Sequence, residues 1–340
     1  MSLLINRLDK SEILNSENFA RSADIVFSEV VTKKNYEKIK NNYTKVIEET
    51  DLYVFYFLEK FELYENSIIF TNTYLAKILF KELDKSNFKN IKIITSQTDH
   101  LITKELFKCK PKCVSSWYST NVNYQSSNLI PIPLGLANEY SPKNIKKSDY
   151  KSLFGVSKKI NKLYLNFEDN TNYFHRNKLK RKLKSKNFVT IDSKRIGNID
   201  YLNNLHQHKF ILCPWGNGTD SHRIWETLYS DSIPIIPKDY GLAKILGNNT
   251  LFFENVSELK DKITPKEKDE DFKVNEEILS IKYWLEKIQG GDLAETKNNE
   301  IANFDCGQVI DNYWEDKFKE NKIKKTRTLK RKIHNKIFII

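Results

Sequence analysis

The chain has no apolar run long enough to cross a bilayer: about 18 residues would be needed, and no stretch of its 340 residues approaches that. It also lacks a secretory core, because the apolar LLI near the start is cut short by Arg7. Both absences predict a protein made and kept in the cytosol. Cysteine is scarce, with Cys109 and Cys113 four apart and Cys213 and Cys306 isolated. No pair has the CxxC spacing of a zinc knuckle, and four are too few for a disulfide scaffold. All four are expected to be reduced, with Cys213 on a buried strand. His206 and His208 have no acidic or thiol neighbour in sequence, and no DxD motif stands at a strand end; DED at 269–271 sits in a lysine-rich excursion. No bound metal or other cofactor is therefore expected.

What is present is ample core material. Hydrophobic residues make up 39% and aromatics 12%, well above what a disordered chain carries. The length suits two domains of about 150 residues better than one. The net charge of +12 is unevenly spread. Residues 321–340 hold Lys322, Lys324, Lys325, Arg327, Lys330, Arg331, Lys332 and Lys336 with no acid, so eight charges belong to the tail and +4 to the rest. Leu329, Ile333 and Ile337 recur every four residues there, which makes 321–340 a candidate basic amphipathic helix. It reads as a fraying terminus, a segment that docks on an anionic membrane, or a nucleic-acid contact.

Short β-rich runs alternate with helical periodicity, which predicts α/β architecture with parallel sheets. In the first half the runs are 23–29, 52–58, 67–72, 92–97 and 128–136, with helices over 35–49 and 73–85. The stretch 139–161 is polar and lysine-rich and is broken by Pro142 and Gly155, so it reads as a linker. Further strands follow at 162–168, 188–192, 210–216, 233–238 and 250–254. The stretch 261–277 reads as a surface excursion, and closing helices are expected around Trp284 and Trp314. The implied division is an N-terminal domain over 1–150, a second over 160–290, closing helices over 291–320 and the tail. Two Rossmann-like halves facing across a cleft give a GT-B-like arrangement, with ligands at the carboxyl ends of the strands.

Residues 210–237, FILCPWGNGTDSHRIWETLYSDSIPIIP, carry the chemistry. A buried strand stops at Pro214, Gly216 and Gly218 allow a tight turn with positive φ, and Asp220 or Ser221 caps a helix that runs to about Ser230. Free N–H groups and the helix dipole at such a turn suit a phosphate. Arg223, Glu226 and Thr227 share one helix face. Arg223 is placed to fork onto a diphosphate and Glu226 to accept both hydroxyls of a ribose; the alternative is an internal Arg–Glu pair.

This segment resembles the C-terminal donor-binding motif of exostosin-like glycosyltransferases, of the form CPxGxGxxxHRxWEALxxGxIPI. TDHLIT (98–103), KPKCVSSWYSTNV (110–122), IPIPLGLAN (130–138) and LYLNFEDNTNYFHRNKL (163–179) extend the likeness over roughly 92–255. The resemblance implies an inverting, metal-independent GT-B enzyme that uses a nucleotide sugar, often a UDP-sugar, to build a surface polysaccharide, glycan or glycolipid. Gly216, Asn217 and Gly218 would line the donor, with Asp220 and His222 beside them. Arg223 would meet the diphosphate, Glu226 the ribose, and Arg176 would be a second phosphate ligand, with Arg195 a further candidate. Asp231 stands where the family has a helix-ending glycine, and Trp215 is expected to pack.

An inverting transfer needs a base near the acceptor hydroxyl. Asp99, with His100 orienting the substrate, follows the strand at 92–97; the competing job for Asp99 is capping the helix LITKELF. Glu139 is the other candidate. His222 is expected to donate to a phosphate or sugar hydroxyl, unless a backbone carbonyl satisfies it. A nucleotide-sugar epimerase or hydrolase on the same fold, and a basic nucleic-acid binder, are the competing functions.

Overall fold

The computed structural model describes residues 3–142, 145–153, 158–192, 196–264, 274–290 and 300–338. Arg195 and the DED run at 269–271 lie outside the described residues.

Ten strands form two five-stranded parallel sheets. The first holds β1 (Ile25–Val26), β2 (Ile68–Asn72), β3 (Ile91–Ser96), β4 (Val114–Ser119) and β5 (Leu129–Pro131). The second holds β6 (Ile160–Leu165), β7 (Val189–Ile191), β8 (His208–Leu212), β9 (Ile233–Pro237) and β10 (Leu251–Phe253). The protein is thus α/β with parallel sheets. Such sheets are covered on both faces, which is why β2 and β9 are buried at every position. The helix α1 (Ala76–Leu83) covers the first sheet with Ala76, Leu79, Phe80 and Leu83, the i, i+3, i+4, i+7 stripe.

The two sheets differ in topology. The first runs in chain order, β1 to β5, whereas the second is ordered β7-β6-β8-β9-β10. The chain leaves β6 outward to β7, returns across β6 and continues at β8. The connections therefore part in opposite directions between β6 and β8, and open α/β sheets bind ligands at that reversal, beyond the carboxyl ends of the strands.

Residues 35–49 are not one helix: a helix over Lys33–Ile39 gives way to a strand over Thr44–Glu49. That strand pairs antiparallel with Val54–Leu58, which also pairs with Ser28–Val31; β-branched Val46 and Ile47 on a pleated surface outweigh their helical spacing. The 52–58 run is thus the centre of a small antiparallel sheet. The presumed linker is partly core: Tyr150 is fully buried, and Lys159 donates to the carbonyls of His206 (2.6 Å) and Ser230 (3.2 Å). Trp284 is buried in the helix Ile281–Gln289, but Trp314 is 44% exposed and its neighbour Tyr313 is the anchor.

The chain's ends cross between halves. The helix Ile281–Gln289 packs against Ser16–Arg21, and Glu300–Asn303 pairs with Lys60–Leu63. One apolar cluster runs from Ile5, Leu14 and Phe19 through Tyr118 to Trp225, Tyr229 and Trp284, so the halves share a core.

Candidate functional site

The turn after β8 and the loop after β6 stand side by side at the reversal of the second sheet. The first leads into α4 (His222–Tyr229), the second into the helix Tyr173–Leu183. Asp231 takes φ 57° just beyond α4, the left-handed conformation that favours glycine at a helix end.

Gly216 and Gly218 are not needed for positive φ, which among glycines occurs only at Gly135 and Gly247 among the described residues. Gly218 is needed for space. A Cβ on Gly218 would lie 2.5 Å from Asn121 Oδ1. Asn121 cannot readily yield, since Oδ1 accepts from the Asp220 amide (3.0 Å) while Nδ2 donates to the Thr98 carbonyl (3.2 Å). Asn121 thus ties the end of the first sheet to the glycine turn of the second.

Arg176 is buried, and its donors hold the carbonyls of Trp215 (2.9 Å), Glu168 (2.8 Å) and Pro214 (3.3 Å). Asn172 donates to the Gly216 carbonyl (3.2 Å). This guanidinium shapes the turn as well as charging it. Burial, and then the positive charge of Arg223, pull the Arg176 pKa down to about 10. Two cations held near one another in a poorly hydrated place repel, and an anion between them relieves both.

Arg223 and Glu226 do not form the internal ion pair that their spacing permits. Tyr201 comes between them: its hydroxyl donates to Glu226 Oε2 (2.8 Å) and its ring lies 5.7 Å under the Arg223 guanidinium carbon. Thr227 turns inward and donates to the Arg223 carbonyl (2.7 Å). Five buried polar atoms around the turn have no protein partner among the described residues: Arg223 Nε, Ser221 Oγ, Thr171 Oγ1, Trp215 Nε1 and His175 Nε2. Buried polar atoms are ordinarily paired, and most of this set are donors, which suits a ligand rich in acceptors. His175 stacks on Trp215 at 5.6 Å, so Trp215 packs as expected while its N–H stays available.

Asp220 and His222 act as clasps between the halves. Asp220 accepts from the Leu134 amide (2.8 Å) and from Trp225 Nε1 (2.9 Å), so its carboxylate is committed to protein donors. Neither it nor Ser221 caps α4 through its side chain. His222 Nδ1 donates to the Gly135 carbonyl (2.8 Å). With that proton committed, neutral His222 offers a ligand an acceptor at Nε2, not the phosphate donor expected.

Asp99 does not cap a helix: the helix is Lys104–Phe107 and Thr103 is its cap. Asp99 is exposed and accepts from Asn217 Nδ2 (3.1 Å), which brings the first-half carboxylate onto the glycine turn. His100 stands beside it, edge-on to Tyr74 at 4.5 Å. Glu139 pairs instead with Lys10 on the surface.

Sequence reasoning passes over a second acid cluster at the carboxyl end of the first sheet. Glu29 follows β1, is fully buried, and is bound by Arg21 and by the Tyr56 hydroxyl (3.3 Å). Glu17, one helical turn before Arg21, lies beside it. One oxygen of each carboxyl, and Asn138 Oδ1, are buried without a protein partner among the described residues. Glu17, Arg21 and Glu29 are near in sequence, but the Tyr56 and Asn138 that complete the group are distant, so no local signal marks it. Burial raises Glu17 to about 7, helped by Glu139, and raises Glu29 to about 8 against the pull of Arg21. Burial also raises Asp220 to about 7. Between the ordinary carboxylate range and these values the folded chain holds more protons than the unfolded one. Stability from these groups is therefore full at acid pH and lost as pH rises through about 8. The melting temperature is expected to fall from pH 5.5 to pH 8.5, with Glu29→Gln flattening the slope; a steady rise over that range would contradict it.

Compared with known proteins, the chain matches no protein-family model and no curated sequence.

Proposed function

We propose that the chain is an inverting glycosyltransferase of the GT-B arrangement. It takes a nucleotide sugar, foremost a UDP-sugar, and passes the sugar to a glycan or glycolipid acceptor in surface polysaccharide synthesis. The observation that carries this reading is the pair of neighbouring guanidiniums, Arg176 and Arg223, amid unpartnered donors at the reversal of the second sheet. A diphosphate answers both the charge and the donors. Glu226, held by the hydroxyl of Tyr201, whose ring lies under Arg223, takes the ribose hydroxyls.

In the transfer, the acceptor oxygen attacks the anomeric carbon as the bond to the diphosphate breaks. The departing electron pair goes to the diphosphate, whose charge Arg223 and the first turn of α4 offset. The acceptor proton goes to Asp99, which Asn217 orients. His222 Nε2 accepts from a donor-sugar hydroxyl. The chain's own groups supply the charge stabilisation.

A screen of UDP- and GDP-sugars, with simple sugar acceptors and with none, tests this. Transfer that needs an acceptor, with slow donor hydrolysis otherwise, is the expected result. Rapid turnover of donor alone would make the protein a hydrolase or epimerase, and inertness towards every nucleotide sugar would refute the proposal.

A further inference from the structure

The C-terminal helix, α6 (Cys306–Phe338), has 33 residues, about 50 Å at 1.5 Å per residue. Its first turns belong to the body. Val309 and Tyr313 are buried in the core of the first half, the Tyr313 hydroxyl donates to Glu48 (2.7 Å), and Lys317 pairs with the same carboxylate. Beyond that root the helix changes character. Trp314 is 44% and Phe318 71% exposed, one turn apart, and the described side chains at 319, 321, 322 and 325–328 are all exposed. A helix whose described side chains are all exposed has little beyond its own hydrogen bonds to hold it in water.

We propose that this outer helix docks the protein on an anionic bilayer. The charge is complementary: residues 321–340 carry eight Lys or Arg and no acid, the composition that anionic headgroups attract. Exposed Trp314 and Phe318 at the root are side chains that favour the bilayer interface. The sequence repeats Leu329, Ile333 and Ile337 at helical spacing, which a bilayer would bury and a nucleic-acid backbone would leave in water.

The root also lies close to His100. The Tyr74 ring touches both Tyr313 (5.6 Å) and His100 (4.5 Å), so the projecting helix springs from the acceptor side, one ring away from His100. Docking therefore brings a membrane-borne acceptor, a glycolipid, to Asp99. That second step rests on the transferase reading; the docking does not.

The test is co-sedimentation of the full chain with vesicles of phosphatidylcholine alone or with about 30% phosphatidylglycerol at moderate salt, where anionic lipid should raise binding roughly tenfold. The double variant Trp314→Ala/Phe318→Ala, unchanged in charge, should bind several-fold less. Equal binding to neutral vesicles, no binding, or tighter binding to duplex DNA that the double variant leaves unaltered would overturn the proposal. A UDP-induced shift in melting temperature, read on the same sample, reports the donor site separately, so either reading can fail alone.

Discussion

Arg223→Ala is expected to lower kcat/KM for the nucleotide sugar by roughly 10²–10³-fold, the usual cost of removing one donor aimed at developing charge. Arg223 is the better candidate for that loss than Arg176, because three of the Arg176 donors are already spent on the carbonyls of Pro214, Trp215 and Glu168, whereas Arg223 Nε has no protein partner among the described residues. Arg223→Lys keeps the charge but loses the planar fork and its seat over Tyr201, so it should recover only part of the activity. The Tyr201–Glu226 bond does not depend on Arg223, and the fold should survive both changes. Steady-state kinetics across a donor concentration series measures the effect; a kcat/KM within threefold of the parent would remove Arg223 from the diphosphate.

Asp220→Ala should destabilise the protein by about 2–5 kcal/mol. The substitution strands two buried donors, the Leu134 amide and Trp225 Nε1, at about 1–3 kcal/mol each. The damage is also directional, because the Leu134 bond joins the first half to the second while the Trp225 bond anchors α4. Asp220→Asn keeps one good acceptor and sets an amide N–H against a backbone N–H, so an intermediate loss is expected. Urea unfolding measures the difference, and a loss below about 1 kcal/mol would mean that water replaces the carboxylate and that the clasp is weaker than its burial implies.

The parallel strands and the glycine turn were legible because each is specified locally: apolar runs bounded by proline and glycine, then a helix with Arg223 and Glu226 on one face. Cys213, placed on a buried strand, lies one residue past β8 and is buried. The positive φ at Asp231 also follows from position in a local pattern. The reasons for the glycines did not, because the clash at Gly218 involves Asn121, about a hundred residues earlier. Residues 35–49 misled because Tyr36, Ile39, Tyr43, Val46 and Ile47 satisfy a helical stripe, and only the pairing with Val54–Leu58 reveals the strand. β4 was overlooked because VSSWYS mixes serines with aromatics, its polar positions being bonded within the sheet: Ser119 Oγ accepts from Thr95 Oγ1 (2.6 Å). The roles of Asp220 and His222 as clasps depend on how the halves meet, and the cluster of Glu17 with Glu29 depends on the strand pairing that sets Tyr56 beside Glu29. The reversal between β6 and β8 is likewise a property of strand order, and it is what sets the helix carrying Arg176 beside the helix carrying Arg223.

The most direct test of the central claim is the melting temperature of the chain titrated with UDP, GDP, ADP and CMP, alongside Glu226→Ala and Arg223→Ala. One nucleoside diphosphate, foremost UDP, should raise it in a saturable manner, by about 2.7 kcal/mol of added stability at a hundred times Kd, and both variants should abolish the rise. Melting curves unmoved by all four nucleotides, or a UDP shift that both variants retain in full, would contradict a donor site at the glycine turn.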